Sequence, residues 1–184
     1  MRDLFAVGTS PTTFVGRGPM VMDERRHPGR VYRLGMDLVE TLNAGSAEII
    51  DQASQALQRA HLPHYEREGE DMGRQRIEGL FDVVIACLDR RQLTPITDYA
   101  EAVASERHSA GYGIGEVQTA FNVLEEAMWR TILAGTPPDQ LAEPIGLLTT
   151  VLGAGKDALA CAYVSVATRQ HVPSLDLRAM FEGT

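Results

Sequence analysis

The sequence predicts an all-α protein: a single bundle of about five or six mostly antiparallel helices with a globin-like or four-helix-bundle-like core and a non-helical N-terminal arm. Three observations predict it. Apolar residues recur at three- and four-residue spacing, most clearly in Ile114, Val117, Phe121, Leu124, Met128 and Ile132. Glycine and proline interrupt that period at short intervals, around Gly45, Pro63, Pro95, Gly111 and Pro137. No segment shows the apolar–polar alternation of a half-buried strand.

The first element follows a stretch without apolar period. Residues 1–30 hold Pro11, Pro19 and Pro28 among scattered glycines and read as a flexible or docking arm, so the bundle is expected over 31–170 and a C-terminal tail over 171–184. Leu34, Leu38 and Leu42 predict a short helix from Tyr32 to about Asn43. Ser46 is a candidate cap for a second helix carrying Ile49, Ala53, Leu57 and Ala60 up to Pro63, although Gly45 also permits one continuous helix. A third fits 70–91, with Ile77, Leu80, Phe81, Val84 and Leu88 on one face and Arg90 and Arg91 at the negative C-terminal end.

Thr94 and Pro95 form a cap and first-turn pair for a fourth helix, which Gly111 can close with a left-handed turn. The helix from Ile114 to Ile132 comes next. After Gly135, Pro137 and Pro138 the last one runs through Ile145, Leu148, Leu152, Leu159 and Val166. Gly153 and Gly155 lie inside it, where each costs about 1 kcal/mol relative to alanine, so something must approach closely there, either another helix or a ligand. The tail contains Leu175, Leu177, Met180 and Phe181, an apolar set that packs on its own domain or on a partner.

Composition narrows the function. A chain of 184 residues, 44% hydrophobic and 23% charged, supports one sizeable core; with aromatics at 6%, aliphatic side chains and alanine must fill it. A net charge of -8 and a pI near 5.1 repel phosphate backbones, so no nucleic-acid partner is expected; the basic run Arg25, Arg26, Arg30 and Arg33 is diluted by Asp23 and Glu24. Cys87 and Cys161 indicate neither a disulfide framework nor a metal motif. The N-terminus lacks the order of a secretory signal and no apolar run approaches the roughly 20 residues of a membrane span, so the expected compartment is the cytoplasm.

Several motifs fail on inspection. In VLGAGKDAL, Thr150 stands where a phosphate loop requires glycine, and Asp157 follows Lys156 in place of Ser or Thr. In GYGIGE, Glu116 replaces the third glycine of a dinucleotide fingerprint, which leaves Gly111, Gly113 and Gly115 as turn formers. Glu24 and His27 form a Glu-x-x-His pair that is not repeated, and His61 and His64 lack an evident third metal ligand. Glu106, His108, Glu125 and Glu126 offer acid–base groups without a nucleophile or oxyanion signature, so no enzyme is predicted. Glu126 and Arg130 are spaced for an exposed ion pair.

The stripe Gln118, Asn122, Glu125 and Trp129 lies at the edge of the apolar seam of its helix. Polar groups there bond to neighbouring helices, with Lys156 a partner for Glu125, or they line a pocket or dimer face. Trp129 serves either the core or an interface. An alternative ligand site for a small molecule or a haem-like tetrapyrrole would draw on His108, Tyr112, Gln118, Asn122 and Glu125; no cofactor is predicted outside that reading.

The segment ERHSAGYGIGEVQTAFNVLEEAMWR, from Glu106 to Arg130, resembles the N-terminal sensor-type domain of RsbRD-like co-antagonists, regulators of the bacterial stressosome. Upstream, AHLPHYEREG followed by RIEGLFDVVIACL is similar to that family in the order of its elements, so the likeness covers about residues 46 to 133. The resemblance implies a non-catalytic helical input domain, often dimeric, that receives a signal or contacts partner regulators. Family members commonly carry a STAS output domain after it, and too few residues follow Ala167 to form one, so a stand-alone module acting through a separate partner is expected.

Overall fold

The structure, a computed structural model, describes residues 38–168. The arms predicted at 1–30 and 171–184 and the start predicted for the first helix at Tyr32 lie outside the described residues. Within them the chain forms α1 (38–44), α2 (Ser46–Arg59), α3 (Pro63–Glu68), α4 (Glu70–Arg90), α5 (Thr94–Ser109), α6 (Ile114–Gly135), a 3-10 turn (Pro138–Gln140) and α7 (Ala142–Thr168). The all-α bundle is as predicted, and no strand occurs among the described residues.

Local chemistry sets most boundaries, with corrections to two of the predicted caps and to one predicted stop. Gly45 does not separate α1 from α2: its N–H donates to the Thr41 carbonyl at 3.1 Å and its own carbonyl accepts from Ile49 N at 3.0 Å. The continuous reading is therefore the observed one, and Ser46 makes no side-chain cap. A Cβ at Gly45 would lie 3.1 Å from Thr131 Cγ2, so glycine there lets α6 come close. Pro63 stops α2 only indirectly. His61 takes a positive φ of 50°, and Pro63 then opens the short α3, where its missing N–H costs nothing.

Gly69, at φ 87°, turns α3 into α4. Before α5, Leu93 and not Thr94 is the flanking residue, and the hydroxyl of Thr97 donates back to the Thr94 carbonyl at 3.0 Å. Gly111, at φ 85°, closes α5 as its sequence position predicts.

The core is aliphatic. Leu42, Ile49, Ile77, Ile96, Leu124, Met128, Ile132, Leu148, Leu152 and Leu159 are all fully buried, with Phe121 the largest side chain among them. Helix α7 packs most extensively on α5 and also on α4 and α6, while α2 covers α4 and α6 from the other side. The α6–α7 pair is antiparallel: Phe121 lies beside Gly155, and the Tyr163 hydroxyl reaches back to the carbonyl of Tyr112 just before α6.

Gly155 resolves the choice left open by sequence. A Cβ there would sit 2.7 Å from Ile96 Cγ1 and 2.9 Å from Phe121 Cε1, so what approaches is two helices. Gly153 differs, because a Cβ added there would find open space within 4 Å. Helix α7 also qualifies the expectation about membrane spans: by length and composition it is long and apolar enough to cross a bilayer, although Leu148, Val151, Leu152 and Leu159 are core residues.

These two glycines give opposite expectations. Gly155→Ala overpacks the α5–α6–α7 junction and is expected to cost about 1–3 kcal/mol of unfolding free energy. Gly153→Ala meets open space and gains helix propensity, so it is expected to stabilise by about 0.5–1 kcal/mol. Urea denaturation followed by circular dichroism checks both; an equal effect at the two positions contradicts the packing.

Candidate functional site

The predicted site residues fall in two places. Along the α6–α7 seam, Lys156 Nζ donates to Glu125 Oε2 at 2.5 Å and to Asn122 Oδ1 at 3.1 Å. The Glu125 and Lys156 side chains are 17% and 26% exposed, so this charge-assisted pair is partly shielded from water. Gln118, one turn earlier, is half-buried. Trp129 is not a core residue: it remains 38% exposed, with Leu133 one turn on at 51%. Arg130 bonds Glu126 at 2.5 Å on the outer surface, the expected i,i+4 pair.

His108 and Tyr112 lie elsewhere, at the end of the bundle where α5 turns into α6. The His108 ring stands edge-on to Tyr163 with centroids 5.8 Å apart. Tyr112 is only 4% exposed and is the centre of a cluster that sequence reasoning does not assemble. Arg76 of α4 donates from Nη1 to the Tyr112 hydroxyl at 2.7 Å, pairs with Glu68 through Nη2, and places its guanidinium 5.1 Å from the centroids of both Tyr65 and Tyr112. The two rings meet edge to face at 5.7 Å. Arg107 of α5 lies 5.4 Å from the Tyr112 ring, and its side chain is 13% exposed.

Backbone turns bring these groups together. The left-handed Gly111 directs Tyr112 inward, and its carbonyl lies 3.5 Å from the Tyr163 hydroxyl. The left-handed Gly69 folds α3 back so that Glu68 reaches Arg76. A second tie joins α3 to α6: Glu116 accepts from Gly113 N at 3.0 Å and His64 N at 3.3 Å, and His64 Nδ1 lies 2.8 Å from Glu116 Oε2. His64 also stacks on Tyr112 at 4.3 Å. His61 goes to a different carboxylate, Glu66, at 3.0 Å, so the two histidines around Pro63 do not converge.

The electrostatics favour a latch over reactive chemistry. Burial pushes the Tyr65 phenol up to about 12, against the lowering influence of Arg76 and Arg107. Burial likewise raises Tyr112 and Tyr163, so the three hydroxyls stay protonated as donors. Burial raises the Cys87 thiol to about 11, far from a reactive thiolate. For Glu116, burial opposes ionisation, but the hydrogen bonds from Gly113 and His64 outweigh it and its carboxyl falls below the ordinary 4.5. Among the described residues no group of three His, Cys, Asp or Glu side chains is placed to hold a metal.

One signal for this cluster is present in the sequence. Arg76 sits three residues after Gly73 and four before Leu80, both buried, so a cation occupies the core face of α4 and needs partners there. Which partners it finds depends on α3, a six-residue helix too short to show a period.

Removing Arg76 by Arg76→Ala leaves Glu68 and the Tyr112 hydroxyl without their partner and is expected to cost about 2 kcal/mol, Glu68 being partly solvated. Arg130→Ala, at an exposed pair, is expected to cost under about 0.5 kcal/mol. Thermal and urea unfolding of the two variants checks the contrast. The Glu116 contribution has a sign set by its lowered folded value: it is complete above pH 4.5 and is lost as pH falls through that lower value. Glu116→Gln is therefore expected to destabilise at neutral pH, with its difference from the parent shrinking below pH 4.5; a constant difference contradicts the assignment.

No curated protein and no solved structure matches the chain. A family model does, that of the RsbT co-antagonist protein rsbRD N-terminal domain, over residues 30–174, which contain the seam, the latch and every described helix. The chain thus belongs to the RsbRD N-terminal domain family, a group of stressosome-associated regulatory sensor domains.

Proposed function

We propose that this domain is a non-catalytic regulatory module that works by self-association through the outer face of α6 and α7. The observation that carries the reading is the mismatch between the composition of α7 and its burial. Its most apolar stretch has a mean hydropathy of 1.3, yet 39% of that stretch is buried. An apolar helix normally lies inside a core or against a partner.

The neighbouring surface fits the same use. Trp129 and Leu133 stand exposed on consecutive turns of α6, and Val164 is 47% exposed near the end of α7. Lys156 bonds across to α6 and holds the two helices as one surface, while Gly153 leaves room for a facing side chain. A two-fold interface uses the same patch on both copies, so a face with exposed apolar residues towards its ends and a neutralised Lys156–Glu125 pair between them can meet itself despite a net charge of -8 per chain. Family membership supports contact with partner regulators; a regulator docked on the same face would compete with the dimer.

Sedimentation velocity over a concentration series tests this. The parent chain is expected to sediment as a dimer and Leu133→Glu as a monomer with unchanged helical content, because the introduced charge would be desolvated at the interface. A parent that stays monomeric at the highest concentration, or a variant that dimerises equally well, contradicts the proposed face.

A further inference from the structure

A cleft of about 450 Å³ opens between the end of α2, α3 and the first turns of α4. Its size falls within the about 300–1,000 Å³ of small-molecule sites. It is separate from the α6–α7 face and shares only Tyr65 with the latch. Leu57, Leu62 and Tyr65 supply apolar lining, and Gly73 adds space by carrying no side chain.

Ser54 also lines the cleft, and among the described residues it is the buried polar one, at 5% exposure. Its Oγ is buried with no hydrogen-bond partner among the described residues. A hydroxyl in that state carries an unmet hydrogen-bonding demand, which a molecule in the cleft meets once the Ser54 side chain turns from its buried setting towards it.

The rim indicates the charge of that molecule. The lining includes Arg59 and Arg74 together with Glu66 and Glu70, two cations and two carboxylates. Arg74 is further held by Asp51 and Glu78, and Glu66 by His61. A rim without net charge gives an ion nothing to offset the loss of its hydration on entering an apolar cleft.

We propose that this cleft binds an uncharged amphipathic small molecule, with an alkyl or aryl body against Leu57, Leu62 and Tyr65 and a hydroxyl or carbonyl on Ser54 Oγ. The inference rests on the regulatory reading and deepens it by giving the sensor domain a chemical input. Tyr65 connects that input to the rest: one part of it lines the cleft, and its ring meets Tyr112 and Arg76 in the latch.

Isothermal titration calorimetry on the full chain with 1-octanol, octanoate and octylammonium tests the proposal. One saturable 1-octanol site per chain is expected, with both ions binding roughly tenfold or more weakly. Ser54→Ala is expected to weaken 1-octanol about five-fold, the loss of one hydrogen bond, while melting no lower than the parent because an unpaired hydroxyl has been removed. Absence of saturable binding, equal binding of the ions, unchanged binding in Ser54→Ala, or a lower melting temperature of that variant would each overturn it. Leu133→Glu lies outside the cleft and is expected to bind 1-octanol as the parent does, so a failure here and a failure of the dimer face are read separately.

Discussion

The close approach at Gly155 is the constraint on which the arrangement of the bundle depends. With Ile96 and Phe121 already within contact distance of the position a Cβ would take, α7 can lie in the angle between α5 and α6 in one rotational setting. That setting turns Leu148, Leu152 and Leu159 into the core. It also places the next residue, Lys156, against Glu125 and Asn122, and two turns further on it brings Tyr163 to Tyr112. What remains of α7 must face outward. The side of α7 turned away from the core is thus a geometric consequence of the glycine contact, and the proposed interface follows from the same rotation.

At the other end of the molecule, the latch around Tyr112 ties pieces of chain that are remote in sequence. Arg76 from α4, Arg107 from α5, Glu68 and Tyr65 from α3, and Tyr163 from α7 all converge on one ring or its backbone. Two guanidiniums against aromatic faces, one of them paired with Glu68, form an environment in which each member depends on the others. Helix α3 is otherwise tied to α6 through His64 and Glu116. A change at Tyr65 therefore has a physical route to the start of α6, and from there along the helix that carries Trp129.

The helical period makes much of this legible in advance, because long amphipathic helices write their core face into the sequence every three or four residues. The helix from Ile114, the left-handed turn at Gly111 and the exposed Glu126–Arg130 pair follow from local spacing, and the bond of Lys156 to Glu125 is one of the partners expected for a polar group at the edge of an apolar seam. Three things do not. The caps expected at Ser46 and Thr94 do not form because neighbouring backbone already satisfies the helix starts. Helix α3 is hidden because proline reads as a stop until the chain after it is seen to turn. The latch escapes the sequence because its members are brought together by two left-handed glycines, and the direction of a turn is not encoded in apolar periodicity. The candidates His108 and Tyr112 and the candidates Gln118, Asn122, Glu125, Trp129 and Lys156 are grouped by sequence pattern, whereas the fold puts the first two around the turn from α5 to α6 and the others along α6 and α7.

The central claim is that the outer α6–α7 face is covered in the working state of the domain. The chain contains a single tryptophan, Trp129, and it lies on that face. Its fluorescence emission across a dilution series is the most direct measurement. The account predicts a shift to shorter wavelength as concentration rises, since the ring leaves water when two copies meet, and no such shift in Leu133→Glu. An emission maximum that stays at the same solvent-exposed wavelength at every concentration would contradict it.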